Sequence, residues 1–327
     1  IDYDWKNRLG EGIYFRSRDG VVGTETIFSQ SEPEFSKYWF PGNARPNDRA
    51  TFEALLTVPE PFVAVSNGAL LKTVPGPTAG ERTYHWAQRI PMVSYLFVAT
   101  SGKFGIKRAA EWNQIPVEYY GPTDDMDRLS YSLRKTPDML TYLSDLTGFR
   151  YPYEKYAQVV VPQYQWGGME HTTATTLTDR TVHSANEEPE FDSEALVAHE
   201  LAHQWFGDLV TCQSWDHLWL NEGFATYFEM AWGKHAKGED HYLEELSGYA
   251  EWYFWEATVN GGKSERPVVF PYQVHTADYF FDSHAYAKGG WILHMLRNLL
   301  GDEVFYAGIR KYTYAMQGKL AVTEDLK

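Results

Sequence analysis

The spacing of apolar positions divides the chain into a strand-rich first third and a helix-rich remainder. Alternation over Thr51 to Val58, Phe62 to Ser66, Tyr84 to Gln88 and Ser94 to Ala99 predicts short strands, with Asn67-Gly68 forming a tight turn. The pattern changes around Lys107 to Gln114. Ile115 to Tyr120 then predicts a further strand, Met126 to Leu146 a helical stretch, and Tyr156 to Val161 a buried strand. Farther on, a period of three to four predicts helices over Asn221 to Lys234, His241 to Ala257 and His284 to Leu300. The switch places an expected domain boundary near residue 113: a β region over 1–113 and a mixed α and β region over 114–327.

A length of 327 residues exceeds one comfortable core and fits two domains, and 43% hydrophobic with 16% aromatic residues supplies ample material to bury. The formal net charge of −15 argues against nucleic-acid binding, since no basic stripe can displace phosphate counterions. An acidic surface is compatible with cationic peptide amino groups, but solubility accounts for it equally well. The single cysteine, Cys212, can form no disulfide within the chain and reads as a small buried hydrophobe. No methionine or signal-like segment opens the chain, and no apolar run reaches the roughly 18 residues of a membrane span, so the compartment is left open.

The most informative segment is His199-Glu200-Leu201-Ala202-His203, followed by Glu222 in Trp219-Leu220-Asn221-Glu222-Gly223. Two histidines four apart on a helix lie on one face, one turn displaced, so both imidazoles can reach one metal ion. Asp192 and Ser193 offer N-caps for that helix, Glu194 adds first-turn negative charge, and Gly207 can end it. An antiparallel second helix opening at Glu222 can bring its carboxylate back to the histidines. Two imidazoles and a carboxylate leave a fourth tetrahedral position for water, whose proton Glu200 is placed to take. Seven residues after Glu222, Glu229 falls on the same helical face, where it either accepts the second N–H of a ligand histidine or faces solvent.

The stretch from His199 through Thr211, continuing to Leu218-Trp-Leu-Asn-Glu-Gly-Phe-Ala225, resembles the zinc aminopeptidases of the M1 family. Gly167-Gly168-Met169-Glu170-His171 is similar to the family's G-x-M-E-N motif, and Ala285-Tyr286-Ala287-Lys288-Gly289 to the segment bearing its catalytic tyrosine. Phe28 to Glu32, Trp39-Phe-Pro41, Arg49 to Phe52 and Thr323-Glu-Asp325 extend the likeness over nearly the whole chain. The resemblance implies an α+β protein in which the C-terminal part of a β-saddle domain, 1–113, precedes a thermolysin-like catalytic domain over 114–327, either truncated at its C-terminal end or naturally short.

The resemblance further implies one zinc ion held by His199, His203 and Glu222, with Glu200 activating water and Tyr286 stabilising the oxyanion. Glu170 would bind the free α-amine of a peptide substrate, with Glu32 as a second acidic wall. Gly167 and Gly168, lacking side chains, can admit a substrate backbone to a strand edge, or simply make a tight turn. His171 departs from the family's asparagine: it either keeps one hydrogen bond or adds a titrating group beside Glu170. The expected activity is hydrolysis of the N-terminal peptide bond. A related zinc endopeptidase, an epoxide hydrolase using the same centre, and a non-catalytic peptide-binding module are the alternatives; intact Glu200 and Tyr286 disfavour the last.

Overall fold

The computed structural model describes residues 11–16, 26–109, 111–258, 266–271 and 276–327. It separates into two compact units, one comprising Ile1–Pro137 with Tyr153–Ser193, the other Asp138–Pro152 with Glu194–Lys327. Together they give the mixed α+β architecture expected, with the strands concentrated toward the N-terminus.

The first unit begins with β1 (Ile13–Arg16), β2 (Thr26–Ser29), β3 (Arg49–Pro59), β4 (Val63–Ser66), β5 (Ala69–Pro75), β6 (Glu81–Val93), β7 (Ala99–Gly102), β8 (Phe104–Arg108) and β9 (Val117–Pro122). A short helix α1 (Met126–Ser132) packs on β9, and the helix α2 (Thr136–Thr147) carries the chain into the second unit. On its return the chain adds β10 (Tyr156–Val161), β11 (Gly168–Met169) and β12 (Ala174–Thr178). These strands form a four-stranded sheet in the order β1-β2-β7-β4, a three-stranded sheet β3-β6-β5, and a five-stranded sheet β11-β12-β10-β9-β8. In the last, β10 runs parallel to both neighbours and every one of its residues is buried, as its apolar sequence predicts.

Several expectations from the apolar pattern are refined. The Asn67-Gly68 turn is present, but it passes the chain from one sheet to another, because β4 pairs β7 whereas β5 pairs β6. A side chain on Gly68, at φ +74, would lie 2.0 Å from the Ala87 carbonyl oxygen, so glycine is required there. Ser94 to Ala99 is not a continuous strand: Ser94–Leu96 forms a 3₁₀ turn in which neighbours Tyr95 and Leu96 are both buried, which strand alternation forbids on a one-sided sheet. The helical stretch from Met126 breaks into α1 and α2 because Pro137 cannot sit inside a helix and instead occupies the first turn of α2. Residue 113, the expected boundary, lies between β8 and β9. β8 and β9 flank that residue and pair antiparallel from Phe104↔Pro122 to Arg108↔Glu118, which keeps the segment inside the first unit.

The second unit is built around α3 (Glu194–Ala202) and α4 (Trp219–Lys237), joined through the short strand β13 (Thr211–Cys212). It continues with α5 (Glu239–Thr258), a π-helical turn over His284–Lys288, α6 (Gly289–Leu300), α7 (Asp302–Met316) and β14 (Leu320–Ala321), which pairs parallel with β13. α4 is the axis of this unit, since fifteen consecutive residues from Trp219 to Gly233 are buried and α3, α5 and α6 all pack on it. Its C-terminal turn carries Lys234, His235 and Lys237, which complement the helix dipole. Cys212 is fully buried and its backbone N–H donates to Asn221 Oδ1 at 3.0 Å, in keeping with a structural role.

Candidate active site

α3 starts immediately after Ser193 and ends at Ala202, where a succession of turns carries the chain to Gly207 at φ +139. A Cβ at Gly207 would approach His203 Nδ1 to 3.0 Å, so the glycine leaves room for the ring as well as ending the helical path. His199 and His203 project from one face, their ring centroids 4.8 Å apart. α4, packed on α3, brings Glu222 to them as the sequence anticipates. Glu222 Oε2 lies 3.3 Å from His199 Nε2 and 3.2 Å from His203 Nε2, and the two Nε2 atoms are 3.1 Å apart.

These three separations admit a metal ion. Ligand atoms about 2.0–2.1 Å from a tetrahedral zinc lie roughly 3.3 Å from one another, so the cluster needs almost no rearrangement to coordinate it. The opposite ring nitrogens are engaged in a compatible way. His199 Nδ1 donates to Glu229 Oε2 at 2.9 Å and His203 Nδ1 donates to the Phe206 carbonyl at 2.9 Å, which leaves both Nε2 lone pairs facing the centre. Burial pushes the Glu222 carboxyl up, and protonated histidines donating to it draw it down more strongly; those Nε2 protons are what a bound metal would displace.

Glu200 is buried beside His199, and Tyr286 stacks on the His199 ring at 6.0 Å between centroids and 12° between planes. Tyr286 occupies the π-helical turn, closed by the Lys288 N–H donating to the Ser283 carbonyl at 2.8 Å. A buried charge network holds that turn. Arg266 Nη2 donates to Asp282 Oδ1 at 2.7 Å, Asp282 also accepts from the His284 backbone N–H and from its Nδ1, and Lys288 Nζ donates to the Arg266 carbonyl at 2.7 Å. Directly after the turn, Gly289 meets Gly223 of α4. A Cβ on Gly223 would sit 2.8 Å from Gly289 Cα, so only two glycines allow the backbones to cross this closely and set Glu222 near the tyrosine segment. Neither the network nor the crossing is visible in the spacing of the motifs.

The remaining expected residues belong to the first unit. Gly167, at φ +82, makes the turn into β11, and Gly168 and Met169 pair with Leu177 and Thr176 of β12 at the edge of the five-stranded sheet. The glycine pair makes a tight turn leading into an edge strand. Gln30 Nε2 contacts Met169 Sδ at 3.2 Å, which brings the Phe28 to Glu32 segment against the Met169-Glu170 segment. Glu32 and Glu170 are 8% and 3% exposed, with carboxylate oxygens within 4.8 Å of each other. Two carboxylates so placed make a negative recess that favours a cation such as an ammonium group.

The segment after Glu170 is tightly held. Asn67 Nδ2 donates to the Thr172 carbonyl at 2.7 Å, the Gly68 N–H donates to Thr173 Oγ1 at 2.7 Å, and Thr173 adopts φ +66, a strained value for a β-branched residue. His171 is fully buried, shares a hydrogen bond with Thr176 Oγ1 at 3.0 Å, and is pushed down to about 3 by burial. Burial and the hydrogen bond to Thr176 both favour the neutral imidazole.

A helix-borne histidine pair met by a carboxylate from the next helix, in an α+β chain, is the arrangement of a metal-dependent hydrolase. Comparison with known proteins makes the class specific. The Peptidase family M1 domain matches residues 131–327 and the Peptidase M1 N-terminal domain matches residues 7–96, and the chain belongs to this zinc-dependent peptidase family. It is 27% identical over 342 residues to endoplasmic reticulum aminopeptidase 2 of Homo sapiens, covering 100% of this chain and 35% of that protein. To aminopeptidase M1 of Arabidopsis thaliana it is 31% identical over 315 residues, 91% of this chain and 34% of that one. To the glutamyl aminopeptidase of Bitis rhinoceros it is 28% identical over 301 residues, 90% and 31% respectively. The chain thus spans about a third of the length of these relatives. Among the described residues, no helix is long and apolar enough to cross a membrane.

Proposed function

We propose that this chain carries the catalytic centre of a zinc aminopeptidase that removes the N-terminal residue of peptides with a free α-amine. The observation carrying the proposal is the convergence of His199 Nε2, His203 Nε2 and Glu222 Oε2 at 3.1–3.3 Å, with the outer ring nitrogens already committed to Glu229 and Phe206. One ion per chain is the stoichiometry this donor set supports. When bound, zinc supplies a Lewis acid that acidifies water and polarises the scissile carbonyl.

The protein's own groups do the rest in this reading. Glu200, buried next to His199, accepts the proton of the attacking water and returns it to the leaving amine. Tyr286 donates its hydroxyl proton toward the carbonyl oxygen as negative charge develops there. Glu170 and Glu32 bind the substrate's ammonium, an assignment supported by the family resemblance of the Gly167 to His171 segment and by the negative recess the two carboxylates make. Gly168, in the edge strand, accepts the extended substrate backbone.

The test is a panel of aminoacyl and peptide substrates, free and N-acetylated, with metal analysis on the same preparation. Wild type should contain one zinc and prefer free amines by roughly 30- to 1000-fold in kcat/KM, the cost of losing one partner of a desolvated charge pair. Glu200→Gln should retain zinc and lose nearly all hydrolysis. Absence of zinc from chelator-free wild type defeats the metal assignment. Equal rates on free and acetylated substrates leave a zinc hydrolase but point to an endopeptidase.

A further inference from the structure

Glu229 grips His199 with one carboxylate oxygen and is itself gripped by the other. While Glu229 Oε2 accepts from His199 Nδ1 at 2.9 Å, Oε1 accepts from the Tyr249 hydroxyl at 2.8 Å. The terminal torsion of a glutamate is broad, so a carboxylate bonded through one oxygen can swing about that bond. Bonds to both oxygens, one from α3 and one from α5, remove that freedom. The phenol is equally fixed. Its ring packs against the buried cluster of Met230, Tyr242 and Leu246, alongside Trp291, with the Trp252 ring 6.3 Å away. Burial and then Glu229 hold the hydroxyl well above its usual range of ionisation, so it remains a donor throughout the pH range of any assay.

We propose that Tyr249 is a positioning residue for the metal centre: by clamping Glu229 from α5 it fixes the ring plane and tautomer of His199, and thereby sets zinc affinity. The proposal rests on the reading of His199, His203 and Glu222 as zinc ligands. The Tyr249 hydroxyl donates to Glu229 Oε1, while its ring lies near Trp252, so removing the hydroxyl alone acts through Glu229. No sequence motif marks it, and it stands twenty positions beyond Glu229 in a chain with 23 tyrosines. Partners of this outer kind ordinarily change metal affinity by 10- to 100-fold when removed.

The experiment is a zinc competition titration against a chromophoric chelator at fixed pH, on the chain carrying Tyr249→Phe, Glu229→Gln, both, or neither. Tyr249→Phe keeps the ring and its packing and removes only the hydroxyl. It should raise the zinc Kd about 10-fold, with Glu229→Gln raising it 10- to 100-fold. The double variant should lose less than the sum of the two single losses, because the hydroxyl acts on His199 only through the side chain at position 229. Thermal unfolding of the zinc-free proteins separates positioning from structure: a merely structural tyrosine lowers that midpoint and adds its loss to that of Glu229→Gln. Tyr249→Phe with wild-type zinc affinity, or losses that add in the double variant, overturns the inference while the wild-type titration still supports the ligand set. A wild-type chain that takes up no zinc overturns the ligand reading and this inference with it.

Discussion

Replacing Gly223 by alanine tests whether the backbone crossing of α4 with the start of α6 sets the site. The new Cβ would stand 2.8 Å from Gly289 Cα, 2.9 Å from its carbonyl carbon and 3.1 Å from the Ala285 carbonyl oxygen. Carbon atoms in good contact are about 3.5 Å or more apart, so the two segments must separate by roughly 0.7 Å. All three obstacles are backbone, which cannot rotate away, so the upper part of the 1–3 kcal/mol range for overpacking applies. Alanine's better helix propensity returns about 1 kcal/mol, leaving a net loss of about 1–2 kcal/mol. Gly248 and Gly308, also in helices, have open space within 4 Å of where a Cβ would stand, and their alanine variants keep the propensity gain without the clash. The sign should therefore reverse, with stabilisation of up to about 1 kcal/mol. The same displacement lies between Glu222 and Tyr286, so kcat of Gly223→Ala should fall on the order of 10- to 100-fold. Urea unfolding with a constant m-value gives the stability change and steady-state kinetics the second number. A Gly223→Ala protein as stable and as active as wild type refutes the account of this crossing.

Three further outcomes can be checked. Tyr286→Phe should lower kcat by roughly 100-fold with little change in KM, the mark of a donor acting in the transition state; an unchanged kcat returns the tyrosine to a packing role. Asp282→Ala should destabilise the second unit by about 3–5 kcal/mol, since it strands the buried Arg266 guanidinium, and calorimetry showing less than 1 kcal/mol would mean the pair is dispensable. His171, neutral in the fold down to about pH 3, takes up a proton on unfolding below about pH 6.5, so its contribution to stability is complete above pH 6.5 and is lost as pH drops toward 3. That single group contributes about 1.4 kcal/mol per pH unit within the window; His171→Asn should flatten the acid limb of the stability profile by that slope, and parallel profiles would contradict it.

How much of this was legible in the amino-acid sequence depends on the range of the determinant. His199 and His203 could be placed on one helical face because a four-residue spacing fixes it locally, whereas Glu222 followed from the expected antiparallel helix and the family resemblance, and the spacing left Glu229 either on a ligand histidine or in solvent. β10 was legible because its run is short and ends in three consecutive valines, β-branched residues that favour a buried strand over a helix. Ser94 to Ala99 misled because its composition suits a strand while the burial of adjacent Tyr95 and Leu96 is decided by tertiary packing. The grouping of residues around position 113 turns on β8, whose partner β9 lies past the change of pattern, and pairing of that kind leaves no periodic trace. Tyr249 and Arg266 were hidden for the same reason: each acts through one contact made across helices or loops, with no spacing rule to announce it.

The π-helical turn at His284–Lys288 amounts to one residue more than a regular helix would hold. One helical residue is about 100° of rotation. In an uninterrupted helix Tyr286 would share a face with Gly290 and Leu293, both buried, and the phenol would be turned in among them rather than laid along His199. Excising a single residue from this turn would thus rotate the tyrosine away without altering any chemical group, and would yield a more regular helix. Selection for thermal robustness alone would favour that excision, and selection for turnover would oppose it, so chains of this family that have shed catalysis are where a regularised helix at this position is to be sought.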